Sequence, residues 1–177
     1  VKDILLSDKE VKGDFTFDDT FFSEIKKIFD SEFEYNFKNK TCAIVGNSPT
    51  LLGSQYGKQI DEYDIVIRCN HGPTEGYELF VGTKTNFRVV SSKVFGYDAI
   101  TSLSKFDHEY LSNLTNQHFI IKLPLSRFPH HVLYGFQKNF GSTNKVTVMK
   151  DSFQQTIKQR VGGVEPSTGI FGLVLFL

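Results

Sequence analysis

Five short apolar-rich runs constrain this chain more than any other feature. They cover residues 42–45, 64–69, 87–90, 118–123 and 145–149. Four of them stop at a polar or turn-forming residue: Gly46, Asn70, Ser91 and Pro124 follow the first four in turn. A strand that faces water on one side alternates polar and apolar residues, whereas a strand covered on both sides reads as a continuous apolar run. Helical spacing sits between and around the runs. Ile100, Leu103, Phe106, Tyr110, Leu111 and Leu114 fit one helix. Phe153, Ile157 and Val161 fit another, with Gly162-Gly163 as a C-terminal stop. Upstream, Phe21, Phe22, Ile25, Ile28, Phe29 and Phe33 recur at helical spacing behind Asp19 or Thr20 as cap. The expectation is an α/β fold: one Rossmann-like domain over residues 41–177, its mostly parallel sheet flanked by helices, approached by a helical segment over residues 1–40. Such sheets take ligands beyond the carboxyl ends of their strands. Asn47, Asn70 and Ser91 each lie just past a strand, so they are expected to meet at one crevice.

Charge and composition exclude several classes. Twenty basic and twenty acidic side chains cancel, which argues against a binder of nucleic acid through phosphate neutralisation. Apolar residues make up 40% of the chain, enough for a core and against disorder. No apolar run approaches the roughly 20 residues of a membrane span. The chain starts at Val1 and closes on an apolar run, 170–177, without a stop signal. The expectation is a C-terminally truncated piece of a longer protein, with any membrane anchor outside it.

Taken one at a time, the candidate motifs leave alternatives open. The loop Gly46-Asn47-Ser48-Pro49 follows a strand and offers a close backbone approach plus side-chain donors. It is not the glycine pattern of a dinucleotide site, and no phosphate-binding P-loop is present. By itself it fits a nucleotide loop or an ordinary turn. Pro166-Ser167-Thr168-Gly169 reads as a helix start, whose free N–H groups suit an anion or whose serine caps its own helix. None of His71, His108, His118, His130 and His131 has the spacing of a zinc helix, and no Asp-x-Asp pair is present, so no metal site is expected. Cys42 and Cys69 lie at a strand start and a strand end. Asn39-Lys40-Thr41 and Asn113-Leu114-Thr115 fit the N-glycosylation acceptor pattern at Asn39 and Asn113.

Order and wording say more than any single motif. Cys42-Ala43-Ile44-Val45-Gly46-Asn47-Ser48, Tyr56-Gly57-Lys58-Gln59-Ile60-Asp61, Asp64-Ile65-Val66-Ile67-Arg68-Cys69-Asn70, Pro73-Thr74-Glu75-Gly76 and Val81-Gly82-Thr83-Lys84-Thr85 follow one another over residues 42–85. Together they resemble the large sialyl motif of the eukaryotic-type sialyltransferases, glycosyltransferase family 29. Pro166-Ser167-Thr168-Gly169-Ile170-Phe171-Gly172 resembles the opening of that family's small motif.

The resemblance implies a variant of the GT-A fold and an inverting transfer of sialic acid from CMP-sialic acid to a terminal sugar, without metal or cofactor. It implies that Asn47 and Asn70 hold the CMP part of the donor, that Gly46 and Ser48 approach it, and that Ser167, Thr168 and Gly169 contact it. Ser91 joins them only by its place after a strand. Asn70→Ala is therefore expected to weaken CMP binding without unfolding the domain. Cys42 matches a cysteine whose disulfide partner falls a few residues beyond Leu177, and Cys69 matches one found in some branches only. The general-base histidine also falls beyond Leu177, so residues 1–177 by themselves are expected to be inert. The implied partners are the CMP-sugar donor and a glycoprotein or glycolipid acceptor. The implied place is the lumenal side of the Golgi membrane. Two alternatives remain: a donor carrying another CMP-activated ulosonic acid, Kdo-like, or a non-catalytic binding module that has lost the base.

Overall fold

The computed structural model describes residues 37–91, 113–122, 143–148 and 151–176. Strand β1 (Cys42–Val45) leads through a short 3-10 turn (Pro49–Gly53) and helix α1 (Gly57–Glu62) into β2 (Ile65–Cys69). Helix α2 (Glu78–Val81) precedes β3 (Phe87–Val90), and β4 (His118–Ile121) and β5 (Lys145–Val148) complete the sheet. Helices α3 (Asp151–Arg160) and α4 (Thr168–Phe176) follow. The sheet order is β1-β2-β3-β4-β5, and every neighbouring pair is parallel.

Alternate residues of the strands enter two cores. Ile65, Ile67, Phe87, Val89 and Ile120 pack with Ile157 of α3 and Phe171 of α4 on one face. Val45 and Val66 pack with Val81 of α2, Leu51 and Ile60 on the other. This double cover is the reason the strands carry almost no alternation of polarity. Each fully buried Ile or Phe contributes about 1.5–3 kcal/mol relative to exposure. Gly57 lets α1 and α2 touch backbone to backbone, because a Cβ there would lie 1.9 Å from the carbonyl oxygen of Glu78.

The expected strands form, with trimmed ends. Asp64 stays outside β2 because its carboxylate accepts from the N–H and hydroxyl of Thr41, both at 2.9 Å. The fourth strand is bounded at Ile121; the Lys122 N–H still donates to the Val90 carbonyl at 2.9 Å, while its side chain turns toward residues 165–166. Leu114 lies in a loop rather than a helix, and its carbonyl accepts from Asn144 Nδ2 at 2.7 Å. The remainder of that expected helix, the helix over 21–33, Met149 and His108, His130 and His131 fall outside the described residues. Helix α3 ends as expected at Gly162 and Gly163, with φ of +82° and +80°. Among the described residues, no helix is long and apolar enough to cross a membrane.

Candidate functional site

All five strands point the same way, so their carboxyl ends form one edge. Val45 pairs with Arg68, Cys69 with Val89 and Val90 with Ile121, which brings Asn47, Asn70 and Ser91 to that edge side by side. The two asparagines lace the loops together. Asn47 Nδ2 donates to the carbonyl of Cys69 at 2.9 Å, tying the end of β1 to the end of β2. Asn70 Oδ1 accepts from the Ser91 N–H at 2.9 Å, tying β2 to β3. Asn70 adopts a left-handed φ of +49°, a conformation asparagine tolerates better than most residues. Each amide therefore bonds the scaffold through one polar atom, Nδ2 of Asn47 and Oδ1 of Asn70. Gly72 allows this geometry: a Cβ there would stand 2.5 Å from Asn47 Oδ1.

The serines also cap local structure. Ser48 Oγ accepts from the Thr50 N–H at 3.3 Å and opens the 3-10 turn. Ser167 Oγ accepts from the Ile170 N–H at 3.3 Å, so Ser167 caps α4. The N–H groups of Thr168 and Gly169, in the first turn of that helix, remain oriented toward its tip. α4 lies across β1, β2 and β3, with Gly172 3.7 Å from Val89 as measured from an added Cβ. Ser167 is exposed, and Thr168 is buried.

Two arginines lie beneath this edge, paired in register on β2 and β3. Arg68 is 1% exposed and Arg88 is fully buried. Arg68 donates to the carbonyls of Val81 and Lys84 and to Thr85 Oγ1. Arg88 donates to the Asn70 carbonyl at 2.8 Å, the Gly72 carbonyl at 3.3 Å and Gln117 Oε1 at 2.8 Å. Guanidinium groups buried this deeply need such partners. Arg88 places positive charge under the turn from Asn70 to Gly72, whereas Arg68 is tied to residues 81–85.

A cavity of about 220 Å³ opens beside the first loop. Gly46, Asn47 and Ser48 line it, together with Leu52, Arg68, His71, Pro73 and Tyr77. Asn70, Ser91 and the tip of α4 do not line it. The expected residues thus share the carboxyl edge, but only the first loop borders this cavity. His71 and Tyr77 were not among the expected site residues. The signal for them was position alone, His71 following Asn70 and Tyr77 closing the same connection. Of the two described histidines, His71 borders the cavity and His118 begins β4 at the opposite edge, where its Nε2 lies 2.6 Å from Thr147 Oγ1.

Both cysteines are free thiols. Cys42 pairs in register with Ile65, four residues before Cys69, so the two lie about 13 Å apart along the sheet and cannot bridge each other. Burial pushes the Cys42 thiol up, and the nearby Asp64 charge adds to this. Burial also pushes Cys69 up, against the opposing charge of Arg88. Asn39 and Asn113 are both exposed.

The family model described as glycosyltransferase family 29 (sialyltransferase) matches residues 7–177. A β-1,6-galactosyltransferase of Arabidopsis thaliana is 54% identical over 54 residues, 30% of this chain and 14% of that protein. A β-galactoside α-2,6-sialyltransferase 2 of Danio rerio is 28% identical over 157 residues, 78% of this chain and 30% of that protein. The crystal structure of a mammalian sialyltransferase superimposes with a TM-score of 0.66 at 21% identity, over 98% of this chain and 70% of that one. The chain spans 14 to 31% of the length of the first curated relatives it matches.

Proposed function

The chain belongs to glycosyltransferase family 29, and from that premise we propose that its full-length protein transfers sialic acid from CMP-sialic acid to a terminal sugar, inverting the anomeric centre without a metal. The observation that carries the reading is the laced pair of asparagines. Asn47 Oδ1 and Asn70 Nδ2 stand at one edge, over the positive charge of Arg88. An acceptor and a donor atom at one edge suit a cytidine ribose and phosphate, and the charge beneath them stabilises the departing phosphate. The N–H groups at the tip of α4 add a further site for negative charge.

The acceptor hydroxyl attacks from the opposite face and gives its proton to a general base, a contribution of typically ~10²–10⁴-fold. That base is a histidine from outside residues 1–177. This placement rests on the family resemblance; of the two described histidines, His118 begins its strand at the opposite edge and His71 borders the cavity. Cys42 pairs with a cysteine outside this stretch, in an oxidising compartment. The protein acts in the Golgi lumen, on galactose-terminated glycans of glycoproteins or glycolipids, held by a membrane anchor outside these residues. The names of two animal relatives, β-galactoside α-2,6-sialyltransferases 2, support a β-galactoside acceptor.

A second reading has one observation in its favour: a relative with high identity over its short match is named a galactosyltransferase. A donor panel separates the readings. Full-length protein is offered CMP-sialic acid, a CMP-activated Kdo-like acid and a nucleotide-activated galactose, with a β-galactoside acceptor. Transfer from CMP-sialic acid alone is expected, and a His71→Gln variant is expected to retain it. Transfer only from another donor, or from none, overturns the sialic acid assignment. Loss of transfer in His71→Gln with CMP binding intact overturns the placement of the base.

A further inference from the structure

We propose that Lys122 is a positioning residue that sets the tip of α4 over the carboxyl edge, a role that rests on the reading above that this tip meets the donor. The main chain of Lys122 still belongs to the sheet, its N–H donating to the carbonyl of Val90 at 2.9 Å. Its side chain leaves the sheet and is only 12% exposed. The ammonium donates to the carbonyl of Pro166, lies 3.3 Å from Glu165 Oε1 and stands 4.5 Å over the ring of Phe171. These three partners flank Ser167, Thr168 and Gly169 on both sides. The other oxygen of Glu165 lies 4.0 Å from Lys158 of α3, so the same carboxylate also joins the neighbouring helix.

Among the described residues, α4 also packs on the sheet through apolar contacts of Phe171, Gly172 and Val174. Apolar packing holds the helix at its distance but is non-directional, so it resists sliding along the axis weakly. The bonds of an ammonium to a carbonyl and a carboxylate are directional and charge-assisted. An ammonium this deeply covered also loses much of its hydration and must keep its partners. Lys122 therefore fixes the height and register of the helix tip. It does so from the strand end beside Ser91, whose N–H holds Asn70. The asparagine edge and the helix tip are joined here, between β3 and β4.

The test is calorimetry of CMP binding to the full-length protein, with thermal melting of each variant. Lys122→Met keeps the stem and removes the charge, and it is expected to weaken CMP on the order of tenfold, the loss of one charge-assisted bond. Lys122→Arg is expected to recover most of that loss. Ser167→Ala weakens CMP too, and the double variant Lys122→Met, Ser167→Ala is expected to be no weaker than the worse single one, because both act through the same tip. Wild-type affinity in Lys122→Met, failure of Lys122→Arg to recover, or full additivity in the double variant overturns the proposal alone. If Lys122→Met does not fold, Glu165→Gln, at an exposed site, is expected to weaken CMP by a smaller factor with unchanged melting. Unchanged affinity there overturns the proposal as well. A wild-type protein that binds no CMP overturns the donor reading, and the role of Lys122 with it.

Discussion

Substitution at Asn70 separates what this residue does for the fold from what it does for a ligand. Its Oδ1 holds the half-buried Ser91 N–H at 2.9 Å, and its φ is +49°. Asn70→Ala removes the acceptor, worth about 1 kcal/mol at a half-buried site, and places an ordinary Cβ in the left-handed region for about 1 kcal/mol more. The loss is about 2 kcal/mol in all, a fraction of a typical domain's stability of about 5–15 kcal/mol, so the domain is expected to stay folded with a lowered midpoint. Asn70→Gly loses the bond but adopts the left-handed backbone freely, so it costs about 1 kcal/mol. Asn70→Asp keeps the acceptor and is close to wild type in stability. It replaces the donor Nδ2 with negative charge, which opposes a phosphate. The expected order of stability is wild type and Asp, then Gly, then Ala. The expected order of CMP affinity is wild type, then Gly and Ala, then Asp. Urea denaturation midpoints and calorimetry of the full-length protein read the two orders. A Gly variant less stable than Ala refutes the backbone argument, and an Asp variant that binds CMP normally refutes the role of the amide.

Two further substitutions probe neighbouring contacts. Gly72→Ala places a Cβ 2.5 Å from Asn47 Oδ1 and is expected to push that amide off the Cys69 carbonyl, weakening CMP binding. The effect is expected to vanish in an Asn47→Ala background; an equal loss in both backgrounds shows that the clash acts elsewhere. Burial alone would raise the carboxyl of Asp61, but the Thr83 and Lys84 N–H groups, the Thr83 hydroxyl and the Arg68 charge together hold it below its ordinary value. A folded value below the unfolded one stabilises above the ordinary carboxylate range and is lost as pH falls through the folded value. The difference in denaturation midpoint between wild type and Asp61→Asn is expected to be flat near neutrality and to shrink below about pH 4. A difference that persists unchanged into acid contradicts this.

The strands were legible in the sequence because burial on both faces acts on each residue locally and removes the alternation of polarity. Cys42–Val45 and Phe87–Val90 form with the expected bounds. The start of β2 moved where a side chain found a distant use, Asp64 on Thr41. Asn47, Asn70 and Ser91 were legible as strand-end residues, and a parallel sheet brings all such ends to one edge. Arg68 and Arg88 carried a signal that went unread: a charge inside a fully buried strand must have partners nearby. Sequence by itself determined the class of fold and the residues at its carboxyl edge. Tertiary structure decided which amide atom bonds the scaffold, that His71 and Tyr77 wall a cavity, and that Lys122 grips a carbonyl 44 residues away. The first set follows from local patterns of burial and turn chemistry. The second depends on register and on crossings between distant segments, which no local pattern encodes.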